Sequence, residues 1–129
     1  MSIGRGDIYH SDNFPFIDHG KFFVVIGENA DEIMGAFFIN SNIRNFLMTK
    51  PKLLALQVGL GYEEYPFLTH NSFLDCSQII RISKRDLSAD LNSGVASYRG
   101  KLSIGDMDTV LELVRSSEVF SPAEKEFFK

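Results

Sequence analysis

The sequence predicts an α+β domain, with antiparallel strands first and capped helices after them. Apolar runs of about five residues, rich in Phe, Val and Ile and ended by turn residues, recur through the first 82 positions. Three Ser-x-x-acid steps, at residues 83–86, 103–106 and 121–124, mark helix starts. The chain has 129 residues, 44% hydrophobic and 23% charged, enough for one buried core and typical of a globular protein rather than a disordered one. Strands this few and short point to a small, strongly bent antiparallel barrel. No repeat, linker or low-complexity tract interrupts the chain, so residues 1–129 are expected to form one domain.

Asp7-Ile8-Tyr9, after Gly4-Arg5-Gly6, is a short first strand. Residues 22–26, closed by Gly27, read as a strand buried on both faces, because the run is uniformly apolar and too short for a helix. Residues 35–39 form the next strand and lead into the turn Asn40-Ser41-Asn42; the polar stretch 29–32 makes the pair a hairpin. Residues 53–58 are a weaker apolar run after Pro51, which cannot donate a ladder bond, so this strand begins at an edge. Residues 73–82 are the last strong strand, with Phe73, Cys76, Ile79, Ile80 and Ile82 as its apolar content. Ser83 then caps a short helix over 84–91, which stops before Asn92 and Gly94. After a link, Ser103 caps a longer helix over 104–116, whose Met107, Val110, Leu111 and Val114 share one apolar face. Ser121, with Pro122 at the first helical position, caps a last turn over 122–128. Each cap is worth about 1 kcal/mol.

Thirteen Lys and Arg against seventeen Asp and Glu give a net charge of −4, which excludes a protein that coats nucleic acid with its whole surface. Charge is uneven, however. Residues 33–62 hold Arg44, Lys50 and Lys52 and no acid, which permits one positive strip. No stretch of about 18 apolar residues exists to span a membrane. The first ten residues lack the basic flank and apolar run of a secretory signal. The single cysteine, Cys76, forbids an internal disulfide and reads as a small buried hydrophobe, so a reducing cytoplasm is the expected location. No histidine pair has metal-ligand spacing and no carboxylates cluster, so neither a metal nor another cofactor is expected. Gly59-Leu60-Gly61-Tyr62 lacks the Lys-Ser/Thr of a phosphate loop.

Several islands resemble the MazF/PemK/Kid toxins. Gly6-Asp7-Ile8-Tyr9 is similar to their opening strand. Residues 73–79 followed by Arg81-Ile82-Ser83-Lys84-Arg85-Asp86-Leu87 are similar to their late strand and the small helix after it. Leu102-Ser103-Ile104-Gly105-Asp106-Met107 is similar to the step that opens their C-terminal helix. The likeness reaches from residue 4 to about residue 117, and residues 42–70 lie outside it. It implies an SH3-like barrel with a short helix after the last long strand and a C-terminal helix, usually as a homodimer. It further implies metal-independent cleavage of single-stranded RNA, by attack of a ribose 2′-hydroxyl on the neighbouring phosphate, restrained by an antitoxin peptide. The chain departs from the family pattern at four places: Lys21 stands where the family usually has Arg, Phe22 where Pro is common, Ser77 where some members have an acid, and Asp75 where some have a base.

Such chemistry needs a base, a cation for the phosphate and an acid for the leaving oxygen. His19 and His70 are the proton-transfer candidates, since an ordinary imidazole titrates at about pH 6.5. Both also suit solvated turns. Lys21 is the phosphate cation, without the bidentate grip of Arg. Ser41 and Ser77 supply hydrogen bonds. Arg44, Phe46, Lys50 and Arg81 are the RNA-binding candidates; Phe46 can stack a base or pack in its loop. A second reading is a non-catalytic protein- or nucleic-acid-binding module on the same barrel, suggested by Lys21, Ser77 and the acidic total. The helix face at 107–114 should cover the chain's own barrel, leaving Phe120, Phe127 and Phe128 to reach a second subunit or, as the alternative, to fold back on their own.

Overall fold

A computed structural model describes residues 2–15, 17 and 19–129. Among these, the chain runs through β1 (Asp7–Ser11), β2 (Lys21–Glu28), β3 (Ile33–Asn40), α1 (Pro51–Leu54), β4 (Gln57–Leu60), β5 (Ser72–Asp75), β6 (Ile80–Ser83), α2 (Lys84–Ser93), β7 (Ala96–Lys101), α3 (Ile104–Ser116) and α4 (Pro122–Lys125). Short 3-10 turns cover Asn45–Thr49, Pro66–Leu68 and Glu126–Phe128.

The fold is α+β, built on one antiparallel sheet with the order β4-β5-β3-β2-β1-β7. One edge of β3 is shared. β6 pairs with its first half, from Ile33 to Ala36, and β5 with its end, at Ile39 and Asn40. The closed barrel expected from the sequence is not formed, because β4 and β7 end the ladder without pairing with each other. Helices bury both faces, so the sheet has no need to curl onto itself. On one face Val24, Ile26, Phe37 and Ile39 pack against Val110 and Val114 of α3 and against the C-terminal segment. On the other, Tyr9, Phe23, Val25 and Ala36 pack with Leu87 of α2. The solid apolar run at 22–26 has this cause: Phe23, Val24, Val25 and Ile26 are all buried, alternately on the two faces.

The helix starts lie where the caps place them. Ser83, Ser103 and Ser121 each accept the backbone N–H three residues on, and the Glu124 carboxylate accepts the Ser121 N–H in turn. α2 runs two residues past the expected end and stops at Gly94, whose left-handed φ of 83° an L side chain rarely adopts.

Three expectations are corrected. Residues 53–58 are not one strand: Pro51–Leu54 is a helical turn, Pro51 suiting its first position, and the edge strand is Gln57–Leu60. Residues 73–82 are two strands, broken where the Asp75 carboxylate takes the Ser77 backbone N–H at 3.1 Å and turns the chain. The link between the first two capped helices is itself a strand, β7, whose Ser97, Tyr98 and Arg99 give it little apolar signal.

The C-terminal phenylalanines take the alternative placement, folded back on their own subunit rather than facing outward. Phe120, Phe127 and Phe128 are buried in their own protomer, against Phe37 and α3. Two glycines admit them. A Cβ on Gly27 would lie 1.9 Å from the Phe127 carbonyl oxygen, and one on Gly35 would lie 2.8 Å from Phe127 Cγ. Arg115 Nε donates to the Phe128 carbonyl at 2.7 Å, and Arg5 reaches the Phe127 carbonyl at 3.4 Å, so two cations fasten the tail.

Candidate functional site

The site grows from the far end of the β2–β3 hairpin, on the face that does not carry α3. Lys21 shares a face with Phe23, and Asn40 with Phe38, because side chains alternate along a strand. The pairing of Phe22 with Ile39 sets Lys21 across from Asn40, and Lys21 Nζ donates to Asn40 Oδ1. The pairing of Ile39 with Leu74 sets Asp75 beside Phe38 on the same face. Arg44, in the loop after β3, reaches back so that its Nη2 donates to Asp75 Oδ2 at 2.8 Å. His19 stands two residues before β2. Together with Ile17 and Gln78, these side chains line one open cleft of about 450 Å³.

Asp75 is the hub. It is buried, and besides Arg44 it accepts Gln57 Nε2 at 2.8 Å, the Ser77 N–H at 3.1 Å and the Ser77 hydroxyl, all on Oδ1. Burial alone would raise its pKa. The hydrogen bonds from Ser77 and Gln57 and the charge of Arg44 overcome that, and the carboxyl lies below its ordinary value. Lys21 is shifted down, first by burial and then by Arg44, with Asp75 opposing. Its ammonium lies 5.3 Å from the centre of the Phe38 ring, an apolar wall that favours the neutral amine less than a dry pocket would. One carboxylate thus faces two permanent or near-permanent cations.

His19 Nδ1 lies 3.0 Å from the Gly20 carbonyl, which can only accept. In the neutral ring this places the proton on Nδ1 and leaves Nε2 with a free lone pair. The ring is exposed at the mouth of the cleft.

The structure brings His19, Lys21 and Arg44 together and holds Ser77 behind them on Asp75. Ser41, next to Asn40, is exposed and is not a wall of the cleft; the Asn40 amide occupies that place. His70 lies two residues before the other end of β5, a strand that itself spans roughly 10 Å to Asp75, with the Ser72 hydroxyl 3.2 Å from its Nδ1. Arg81 pairs with Gly35, on the opposite face, and its guanidinium lies 6.0 Å from the Phe127 ring centre. Lys50 is exposed beyond the 3-10 turn. Phe46 is half exposed, with the Arg44 guanidinium 4.7 Å from its ring centre. Cys76 is fully buried, and burial followed by the Asp75 charge pushes its thiol pKa up, as befits an inert hydrophobe.

Asn40, Gln57 and Gln78 were not singled out in the sequence, and Asp75 was noted only as a departure from the family pattern, not as a site residue. The hairpin loop does not settle the first: Glu28 pairs with Met34, and only an irregularity between Val25 and Gly27 shifts the register by one residue so that Phe22 meets Ile39 and Lys21 lies across from Asn40. Asp75 and Gln57 belong to strands joined only by tertiary pairing. Among the described residues, no three His, Cys, Asp or Glu side chains converge as metal ligands would, and no helix is long and apolar enough to cross a membrane. Comparison with models of known protein families gives no match, and comparison with curated proteins gives no significant match.

Proposed function

We propose that the cleft binds the phosphodiester of single-stranded RNA and that the chain is a divergent ribonuclease of the MazF/PemK type. The observation that carries this is the convergence of Lys21, Arg44 and His19 on one open cleft. His19 Nε2 takes the proton of the attacking 2′-hydroxyl. Lys21 lies against the phosphate oxygens as negative charge grows on them, and its lowered pKa suits it to protonate the leaving 5′-oxygen. Arg44 aligns the neighbouring phosphate, and Ser77 acts through Asp75 as a positioning residue. On this reading the sheet is an opened version of the family's small barrel. A homodimer, a restraining antitoxin peptide and a cytoplasmic location go with it. The one-sided edges of β4 and β7 offer ladder groups for either partner.

The test is cleavage of mixed-sequence single-stranded RNA in the presence of a chelator. Wild type should cut, and His19→Ala and Lys21→Ala should each lose about a hundredfold or more, the usual contribution of a positioned acid or base. Intact RNA at high protein concentration, after any co-purified partner has been stripped, overturns the reading. The alternative, a non-catalytic RNA-binding module, is favoured by one observation: Arg44 is already paired with Asp75, and Lys21 with Asn40. It predicts RNA bound but uncut, with His19→Ala leaving cleavage at the same absent level.

A further inference from the structure

We infer that the depression beside the cleft is a nucleobase subsite. It takes one unstacked base of a strand whose reacting phosphate lies against Lys21 and whose neighbouring phosphate lies against Arg44. This rests on the phosphate reading above and adds a contact that can be tested separately.

The depression holds about 790 Å³ and shares two walls, Asn40 and Arg44, with the cleft, so a chain lying in one continues into the other. Its remaining walls are Asn42, Ile43, Asn45, Met48 and Phe73. This is an unusual mixture. A simple anion would have no use for Met48, which is 60% exposed, or for the Phe73 ring. An apolar partner would bury the three amides at a cost. A nucleobase matches both halves, with a flat π face for Phe73 and Met48 and a donor–acceptor edge for the amides. The amides of Asn42 and Asn45 have no hydrogen-bond partner among the described residues, so each keeps two donors and an acceptor for a ligand.

The surroundings agree. Residues 33–62 contain no acid, so nothing in this segment repels a polyanion. The Arg44 guanidinium is held at the boundary of the two hollows from both sides, by Asp75 at 2.8 Å and by the Phe46 ring 4.7 Å away. There it can touch the phosphate that links the bound base to the reacting nucleotide. Only an unpaired strand can present a base this way, because a duplex keeps its bases stacked inside.

The experiment uses fluorescence anisotropy in a chelator with two labelled probes. One is a mixed-sequence 2′-fluoro hexanucleotide, which has no attacking hydroxyl; the other is the same backbone with abasic sites. Wild type should bind the base-bearing probe about tenfold more tightly, as one stacked base contributes. In Asn45→Ala/Met48→Ala, both exposed on a surface turn, that ratio should fall to near one, with circular dichroism checking that the variant is folded. Phe73→Leu should reduce it as well. A wild-type ratio near one, or a ratio that survives the double substitution, overturns the subsite while leaving the phosphate reading intact. If wild type binds neither probe, both readings fall together.

Discussion

Replacing Asp75 with Asn tests the hub of the site in two ways at once. The substitution keeps the size and one oxygen, so Ser77 and Gln57 retain an acceptor at Oδ1, but it places an NH₂ where Oδ2 met Arg44. The ion pair itself is worth little, about 1 kcal/mol, because Arg44 is 41% exposed and water takes over its charge. The bonds from Ser77 and Gln57 fall from charged to neutral strength, about 1 kcal/mol each. The amide is cheaper to bury than the carboxylate, which returns part of this. The net loss is about 2 kcal/mol, or roughly 6–10 °C in melting temperature for a domain of this size. The wild-type carboxyl has its pKa below the unfolded value, so its contribution is complete above about pH 4 and is lost as pH falls through the folded value. Asp75→Asn should therefore flatten the acid limb of stability against pH. RNA binding should move the other way. Freed Arg44 adds one cation to the cleft, so affinity should rise and the slope of log K against log salt should steepen by about 0.7. Melting followed by circular dichroism and anisotropy across a salt series read the two effects. A variant with lowered stability and lowered RNA affinity would refute the reasoning, since the aim that Asp75 gives Arg44 would then outweigh the charge it neutralises.

Other outcomes follow from the packing and the titrating groups. Phe127→Ala should cost about 3–5 kcal/mol in urea denaturation. Gly35→Ala should cost about 1–3 kcal/mol alone, through the 2.8 Å approach to Phe127 Cγ, and much less in the Phe127→Ala background; strict additivity would exclude the clash. Tyr65 donates to Asp106 Oδ2 at 2.5 Å and accepts the Ser103 N–H at 2.9 Å, and burial with Asp106 pushes its pKa up to about 12. Its folded pKa exceeds the unfolded value, so stability should hold below pH ~10 and drop as pH climbs towards 12. Tyr65→Phe should weaken that drop, and an unchanged alkaline limb would argue against it. Because Lys21 sits below the ordinary lysine pKa, RNA affinity should fade on the alkaline side before a solvent-exposed lysine would lose its proton. Lys21→Arg should retain affinity there, as measured by anisotropy across the alkaline range.

Much of the chain's local order was written in neighbouring residues. The caps at Ser83, Ser103 and Ser121 act within one turn, and α3 spans Ile104–Ser116 as its pattern predicts. The hairpin itself is local too, but the register that sets Lys21 across from Asn40 is not read from its loop, because an irregularity between Val25 and Gly27 shifts the pairing by one residue. Tertiary structure decided the rest, because the deciding partner lay far along the chain. Phe127 and Phe128 look like free apolar surface until Gly27 and Gly35, about a hundred residues earlier, are seen to form the notch that receives them. Whether the sheet closed depended on α2 and α3 reaching both faces, which no strand pattern records. The cleft exists because a loop arginine, Arg44, crosses to a β5 carboxylate 31 residues on, and an Arg–Asp pair at that separation is indistinguishable in a sequence from two unrelated surface charges.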